Sequence, residues 1–198
     1  MKRLIVAAVL GLVTASSAFA AGASFQKEFG KSLPPIGFVK FCAANPGECK
    51  NVGRRVQRVA VTQNMWAKLQ SVNATINGSI APVSDAELYG EAEFWTYPVD
   101  AGDCEDYLLL KKRQLEKLGF DSGALLITVV LDEKNEGHAV LTVDTEQGDY
   151  VLDNRRNDIL LWADTGYTFL KRQSQKDPRA WVALTDVQQP TPKVASGN

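Results

Sequence analysis

The hydrophobic positions fall into two rhythms, and the change between them divides the chain. Over 54–77, Val56, Val59, Ala60, Met65, Trp66, Leu69, Val72 and Ile76 return at helical spacing, with Arg54, Arg55, Arg58, Lys68 and Gln70 opposite. Thr62 is a cap residue inside that stretch, so it reads as one helix or as two. A second helical period covers 104–118, where Leu108, Leu109, Leu115 and Leu118 recur and Gly119 is placed to end the helix. Beyond it the rhythm shortens. Residues 124–131 form a near-continuous apolar run rich in β-branched side chains, the signature of a buried central strand. A turn is expected at 132–137, then strands at 138–143 and 150–153 joined through 144–149. A short strand or helical turn at 159–162, a strand at 167–170 and a last edge strand within 179–187 complete the pattern.

The flanks carry less. Residues 21–33 are mostly small and polar, apart from Phe25 and Phe29, and read as a loose lead-in. Pro34 to Phe41 places apolar residues between breakers, and 79–95 reads as loop, with Pro82, Gly90 and a Ser84-Asp85 turn signal. At the start, Lys2 and Arg3 precede an apolar run from Leu4 to Val13, and Ala18-Phe19-Ala20 supplies a small-x-small cleavage pattern. The run is too short to span a bilayer, so 1–20 reads as a signal peptide cut after Ala20, leaving no membrane span. The tail 188–198, with its Pro, Ser and Gly, is expected to be disordered. What remains, 34–187, is one domain.

Charge and cysteine content then change the picture. The formal charge of -1 becomes -3 once Lys2 and Arg3 are removed, which gives no argument for nucleic acid or an anionic membrane surface. Export makes the three cysteines informative. Cys42 and Cys49 bracket an Asn-Pro-Gly turn and are the natural disulfide of an oxidising compartment, periplasmic or extracellular. Cys104 is left over, and an unpaired thiol in an exported chain is either buried and inert or chemically used. The single histidine and the lack of a second cysteine pair argue against a structural zinc site.

The chemistry centres on that leftover cysteine. Gly102-Asp103-Cys104-Glu105-Asp106 delivers it to a helix start, where the macrodipole favours thiolate. The one histidine, His138, and Asp153 follow on successive strands. If the hairpin loop is 145–148, Asp144 faces Asp149, and His138 and Asp153 become diagonal neighbours on one face, roughly 7–8 Å apart between backbones. A shift of one residue would put them on opposite faces. In the permitted register Cys104 is the nucleophile, His138 its base, and Asp153 the group that fixes the imidazole. The Cys104 backbone N–H is a first oxyanion donor; Asn73, Asn77 and the Trp95 indole are candidates for a second.

These motifs resemble a known family. Gly102 to Tyr107, Gly137 to Leu141 and Val151 to Asn154, with Trp66, Asn73, Asn77, Leu88-Tyr89-Gly90, Phe94-Trp95 and 171–174, look like the bacterial transglutaminase-like cysteine proteinases. The resemblance implies an α+β, papain-like or transglutaminase-like core, with the nucleophile's helix packed on an antiparallel sheet. It implies a Cys-His-Asp triad on Cys104, His138 and Asp153. The family's best-understood members are periplasmic proteases that clip a giant surface adhesin and are held in check by an inner-membrane cyclic-di-GMP receptor. They bind calcium beside the nucleophile, at positions matching Asp103 and Glu105, with Asp106 a further ligand candidate; carboxylate oxygens suit that hard cation. The same acids also read as ordinary first-turn helix carboxylates. The expected activity is that of an endopeptidase acting on a protein or peptide. A transglutaminase or amidase with the same triad, and a non-catalytic peptide-binding relic, are the rivals.

Overall fold

In this computed structural model the described residues are 24–50 and 57–186. The expected signal peptide, the tail from 188, and Arg54 and Arg55 lie outside them. The chain runs through β1 (Lys31–Ser32), α1 (Ile36–Ala44), α2 (Gln63–Ser79), β2 (Ala81–Pro82), α3 (Asp85–Leu88), β3 (Ala101–Gly102) and α4 (Cys104–Lys117). Six more strands follow: β4 (Leu125–Leu131), β5 (Gly137–Thr145), β6 (Gly148–Asp153), β7 (Arg156–Leu161), β8 (Thr168–Gln173) and β9 (Trp181–Ala183). Seven strands join in the order β1-β9-β8-β4-β5-β6-β7, every pairing antiparallel, while β2 and β3 pair in parallel beside the start of α4.

The apolar run of 124–131 is the middle strand, as its lack of alternation required. The hairpin after it keeps the expected register, with Leu141 opposite Leu152 and Asp144 opposite Asp149. α2 and α4 cover one face: Leu69, Val72 and Ile76 meet Leu108, Leu115, Ile127, Leu141 and Leu152 in the main core. A smaller cluster of Val130, Val140, Val151, Tyr167 and Phe169 lies among side chains of the other parity. The disulfide joins Cys42 to Cys49, with their Cα atoms 5.6 Å apart, and closes the turn after α1.

Three expectations at the N-terminal end are corrected. The helix expected from 54 starts at Gln63, where the Thr62 hydroxyl accepts the Met65 N–H at 3.2 Å. Residues 57–62 are not helical, because Val59 exchanges backbone hydrogen bonds with Asp144 and Glu146, and Arg58 pairs with Asp144 at 3.1 Å while its guanidinium lies 3.9 Å from the Phe25 ring centre. A tertiary ladder has overruled a local helical rhythm. The lead-in is not loose either. Asp149 accepts the Gln26 N–H and donates its own to Ser24, Arg172 reaches Gln26 and Glu28, and β1 covers the β9 edge. The third correction is 79–95, which holds β2 and α3 rather than loop alone.

α4 buries charged residues as well as apolar ones, and Lys111 is the most enclosed of its cations. Lys111 is 1% exposed and its ammonium has no hydrogen-bond acceptor among the described residues; the Tyr107 ring, 5.9 Å away, is its neighbour. Burial pushes its pKa from 10.5 down to about 7, against the pull of Asp153. Between those two values the unfolded chain holds a proton that the folded one has released, so this group makes stability rise with pH from 7 to 10.5. Lys111→Met is therefore expected to stabilise the protein at pH 7 by on the order of 3 kcal/mol and to flatten that rise. Urea denaturation at pH 7 and 9.5 checks it; a variant less stable than wild type at pH 7 refutes it.

Candidate active site

The glycine before the cysteine is there for space. A Cβ on Gly102 would lie 2.5 Å from an Asp106 carboxylate oxygen, so only glycine lets β3 turn this tightly into the first turn of α4. Asp103 takes the N-cap position with extended backbone, yet its side chain makes no cap bond; it accepts the Asp85 N–H at 3.3 Å instead. Cys104 is half-buried at the helix tip. Its Sγ lies 3.1 Å from Glu105 Oε2, and the backbone N–H of Ala139 is directed at the sulfur.

Across from it, His138 Nε2 and Asp153 Oδ1 are 3.0 Å apart. The ring is 3% exposed and the carboxylate 1%, so this bond is made out of water's reach. With Nε2 donating to a carboxylate, the lone pair sits on Nδ1, and Nδ1 is buried without a partner. Cys104 and His138 line one cavity of about 200 Å³ with Trp95, Glu105, Ala139 and Lys171. The three residues expected from the sequence are thus brought to one place. The thiol currently engages Glu105 rather than the imidazole.

Two of the expected oxyanion donors are otherwise employed. The Asn73 amide donates to the carbonyls of Arg156 and Asn157 at 3.1 Å, and the Asn77 amide to those of Asp153 and Arg156 at 2.9 and 3.0 Å. α2 therefore clamps the β6–β7 turn that carries Asp153, which is a scaffold role. Trp95 does line the cavity, but its indole N–H goes to Glu93 Oε2 at 2.9 Å. The Cys104 backbone N–H remains the candidate donor.

The acidic residues are not solvated helix carboxylates. Glu105 and Asp106 are buried, and Asp85, from the start of α3, joins them. Ligand atoms of Asp85, Asp103 and Asp106 lie within 4.8 Å of one another, and so do those of Asp103, Cys104 and Glu105. Asp85 Oδ1, Asp103 Oδ1 and Asp106 Oδ2 are buried without hydrogen-bond partners. Burial pushes Asp106 up to about 7 and raises Asp85 and Glu105, each further raised by Asp103. The Cys104 thiol is pushed well up, first by burial and then by Glu105 and Asp103, with the Ala139 N–H opposing. Orphaned, crowded carboxylate oxygens are the donor set of a hard divalent cation. Asp85 was invisible in sequence because it lies 18 residues upstream in what reads as loop.

Asp153 shows the opposite electrostatics. Burial raises it, but His138, Tyr167 and the Arg155 N–H together hold it at about 2. A permanent carboxylate behind an imidazole that lines one cavity with a thiol is an arrangement suited to proton transfer and acyl transfer.

Comparison with known proteins agrees with this geometry. No curated protein sequence matches the chain. Calcium-bound Legionella pneumophila LapG shares the fold at 21% identity, with a TM-score of 0.52 over 78% of this chain and 82% of that one. EGTA-treated LapG from the same organism also aligns at 21% identity and a TM-score of 0.52, over 75% of this chain and 76% of that one. The model of the bacterial transglutaminase-like cysteine proteinases, BTLCP, matches residues 28–189. A match over that much of the chain places the protein in the bacterial transglutaminase-like cysteine proteinase family, as a cysteine peptidase of mixed helix and antiparallel sheet.

Proposed function

We propose that the protein is an exported cysteine endopeptidase that hydrolyses a peptide bond through Cys104, His138 and Asp153. The observation that carries this reading is the His138–Asp153 bond at 3.0 Å, which leaves Nδ1 without a partner in a residue that lines one cavity with Cys104. Nδ1 takes the Cys104 proton, and the thiolate adds to the scissile carbonyl. Asp153 holds the resulting imidazolium, and the Cys104 backbone N–H meets the oxyanion. Imidazolium then protonates the leaving amine, and water, deprotonated by the same ring, resolves the thioester.

Asp103 and Glu105, joined by Asp85 and Asp106, suit a calcium ion, and calcium-bound LapG of the same fold supports that assignment. Its charge would offset the carboxylates that push the thiol up. The Cys42–Cys49 disulfide and the N-terminal segment support a periplasmic or extracellular location. The substrate is then an exported protein, and an inner-membrane receptor is the kind of regulator such a location permits.

Water and an amine compete for the thioester, and their ratio separates a protease from a transglutaminase. Incubating exported proteins with the enzyme and a labelled primary amine is expected to give new N-termini by mass spectrometry and no amine-tagged glutamine. Tagged glutamine without cleavage would make the protein a transglutaminase.

A further inference from the structure

Asp153 has two carboxylate oxygens, and only one serves His138. Oδ1 accepts from His138 Nε2 and from the Arg155 N–H, both at 3.0 Å. Oδ2 accepts the Tyr167 hydroxyl at 2.6 Å, the short length of a charge-assisted bond, with Arg156 Nε 3.7 Å away. That hydroxyl in turn accepts Arg156 Nη2 at 3.1 Å, and the same nitrogen reaches Glu133 at 3.0 Å. The Tyr167 ring is packed with Val130, Val140, Val151 and Phe169. It stands edge-on to the His138 imidazole, with centroids 5.7 Å apart and planes at 85°. One residue therefore touches both members of the buried pair without lining the cavity.

A carboxylate bonded through one oxygen alone rotates about its Cβ–Cγ bond and carries the imidazole with it. A second bond at the other oxygen fixes the plane. We propose that Tyr167, oriented by Arg156, is a positioning residue: its hydroxyl fixes the Asp153 carboxylate and its ring fixes the imidazole, so that the ring keeps the one orientation in which Nδ1 is its free nitrogen. This rests on the triad reading above. Burial, then the Asp153 carboxylate, push the Tyr167 hydroxyl up to about 12, so it remains a donor across the working range. The other charges facing Asp153 are Lys111 from α4 and the guanidinium groups of Arg155 and Arg156.

The chain is suited to a direct test because it has one histidine and, beyond the disulfide, one thiol. Tyr167→Phe and His138→Ala are compared with wild type in calcium-containing buffer. The readouts are the rate of Cys104 alkylation by iodoacetamide from pH 5 to 9, the His138 Nε2–H signal in NMR, and thermal unfolding. Tyr167→Phe is expected to fold, to slow alkylation at pH 7 about tenfold, the loss of one hydrogen bond to a charged group, and to move the profile to higher pH. Its imidazole signal should shift upfield or broaden. An unchanged profile and signal in Tyr167→Phe, with a changed profile in His138→Ala, overturns this inference alone. An unchanged profile in His138→Ala overturns the triad reading itself. If Tyr167→Phe does not fold, Arg156→Met, at a part-exposed site behind the hydroxyl, is read the same way: a shifted profile and signal support the inference, and unchanged ones overturn it.

Discussion

Replacing Cys104 with alanine is expected to abolish cleavage, with kcat falling at least about 10⁴-fold, while thermal stability stays within about 1 kcal/mol of wild type. The chemical half follows from the inventory of the cavity. Its other titratable side chains are Glu93, Glu105, His138 and Lys171; with the thiol removed, His138 has lost the nucleophile it would deprotonate. The stability half follows from what surrounds the sulfur. Sγ sits beside the Glu105 carboxylate, and a thiol pushed toward its neutral form gains little there. The rival in which Cys104 is an inert core thiol predicts the reverse: cleavage intact and a stability loss of the size expected for a truncated core side chain. Peptide mass spectrometry on exported proteins, paired with calorimetry of the same preparation, distinguishes them. Residual cleavage by the alanine variant removes the nucleophile assignment.

The parts of this architecture that were legible share a cause: they are decided by residues close in sequence. The helix at 104–117 is bounded by a cap position and Gly119, and its apolar period is regular. The hairpin register follows from a tight turn, with Thr145 paired to Gly148, and with it comes the meeting of His138 and Asp153, 15 residues apart. What was not legible depends on distant partners. Residues 57–62 carry a helical rhythm but are held by Asp144 and Glu146. The lead-in is fastened by Arg172 and Asp149, more than a hundred positions away. α1 has apolar residues on nearly every face, Ile36, Phe38, Val39 and Phe41 among them, so no period announces it. In the site the same division holds. Asp103 and Glu105 flank the nucleophile and are found by inspection, whereas Asp85 and Tyr167 reach the site only through the folded chain, one from the start of α3 and the other from just before β8. Asn77 is instructive in a different way. An asparagine amide is chemically competent to bind an oxyanion, and only the carbonyls it already holds decide that it serves the Asp153 turn instead.

Removing calcium with EGTA is expected to cut activity at pH 7 by about 10²-fold or more and to lower the unfolding temperature by roughly 5–10 °C, both restored by calcium and not by magnesium. Without a cation, Asp85 and Asp106 on one side and Glu105 on the other sit buried beside Asp103, and burial, with the Asp103 charge, pushes each of the three up. Burial, then Glu105 and Asp103, push the Cys104 thiol up, so that less of it is thiolate at pH 7 when no cation offsets those charges. Stability moves by linkage. Calcium at a hundred times its dissociation constant contributes about 2.7 kcal/mol, and each kcal/mol is worth about 2–4 °C in a domain of this size. Magnesium fails because it demands a smaller, near-octahedral shell and gives up its water reluctantly. Asp103→Asn removes a charge common to both clusters, so it should weaken the response to calcium in both readouts. An enzyme whose activity and melting ignore EGTA loses the calcium assignment. One whose melting shifts while Cys104 alkylates at an unchanged rate would confine the ion to holding α3 against the start of α4, and the thiol would have to be activated by His138 alone.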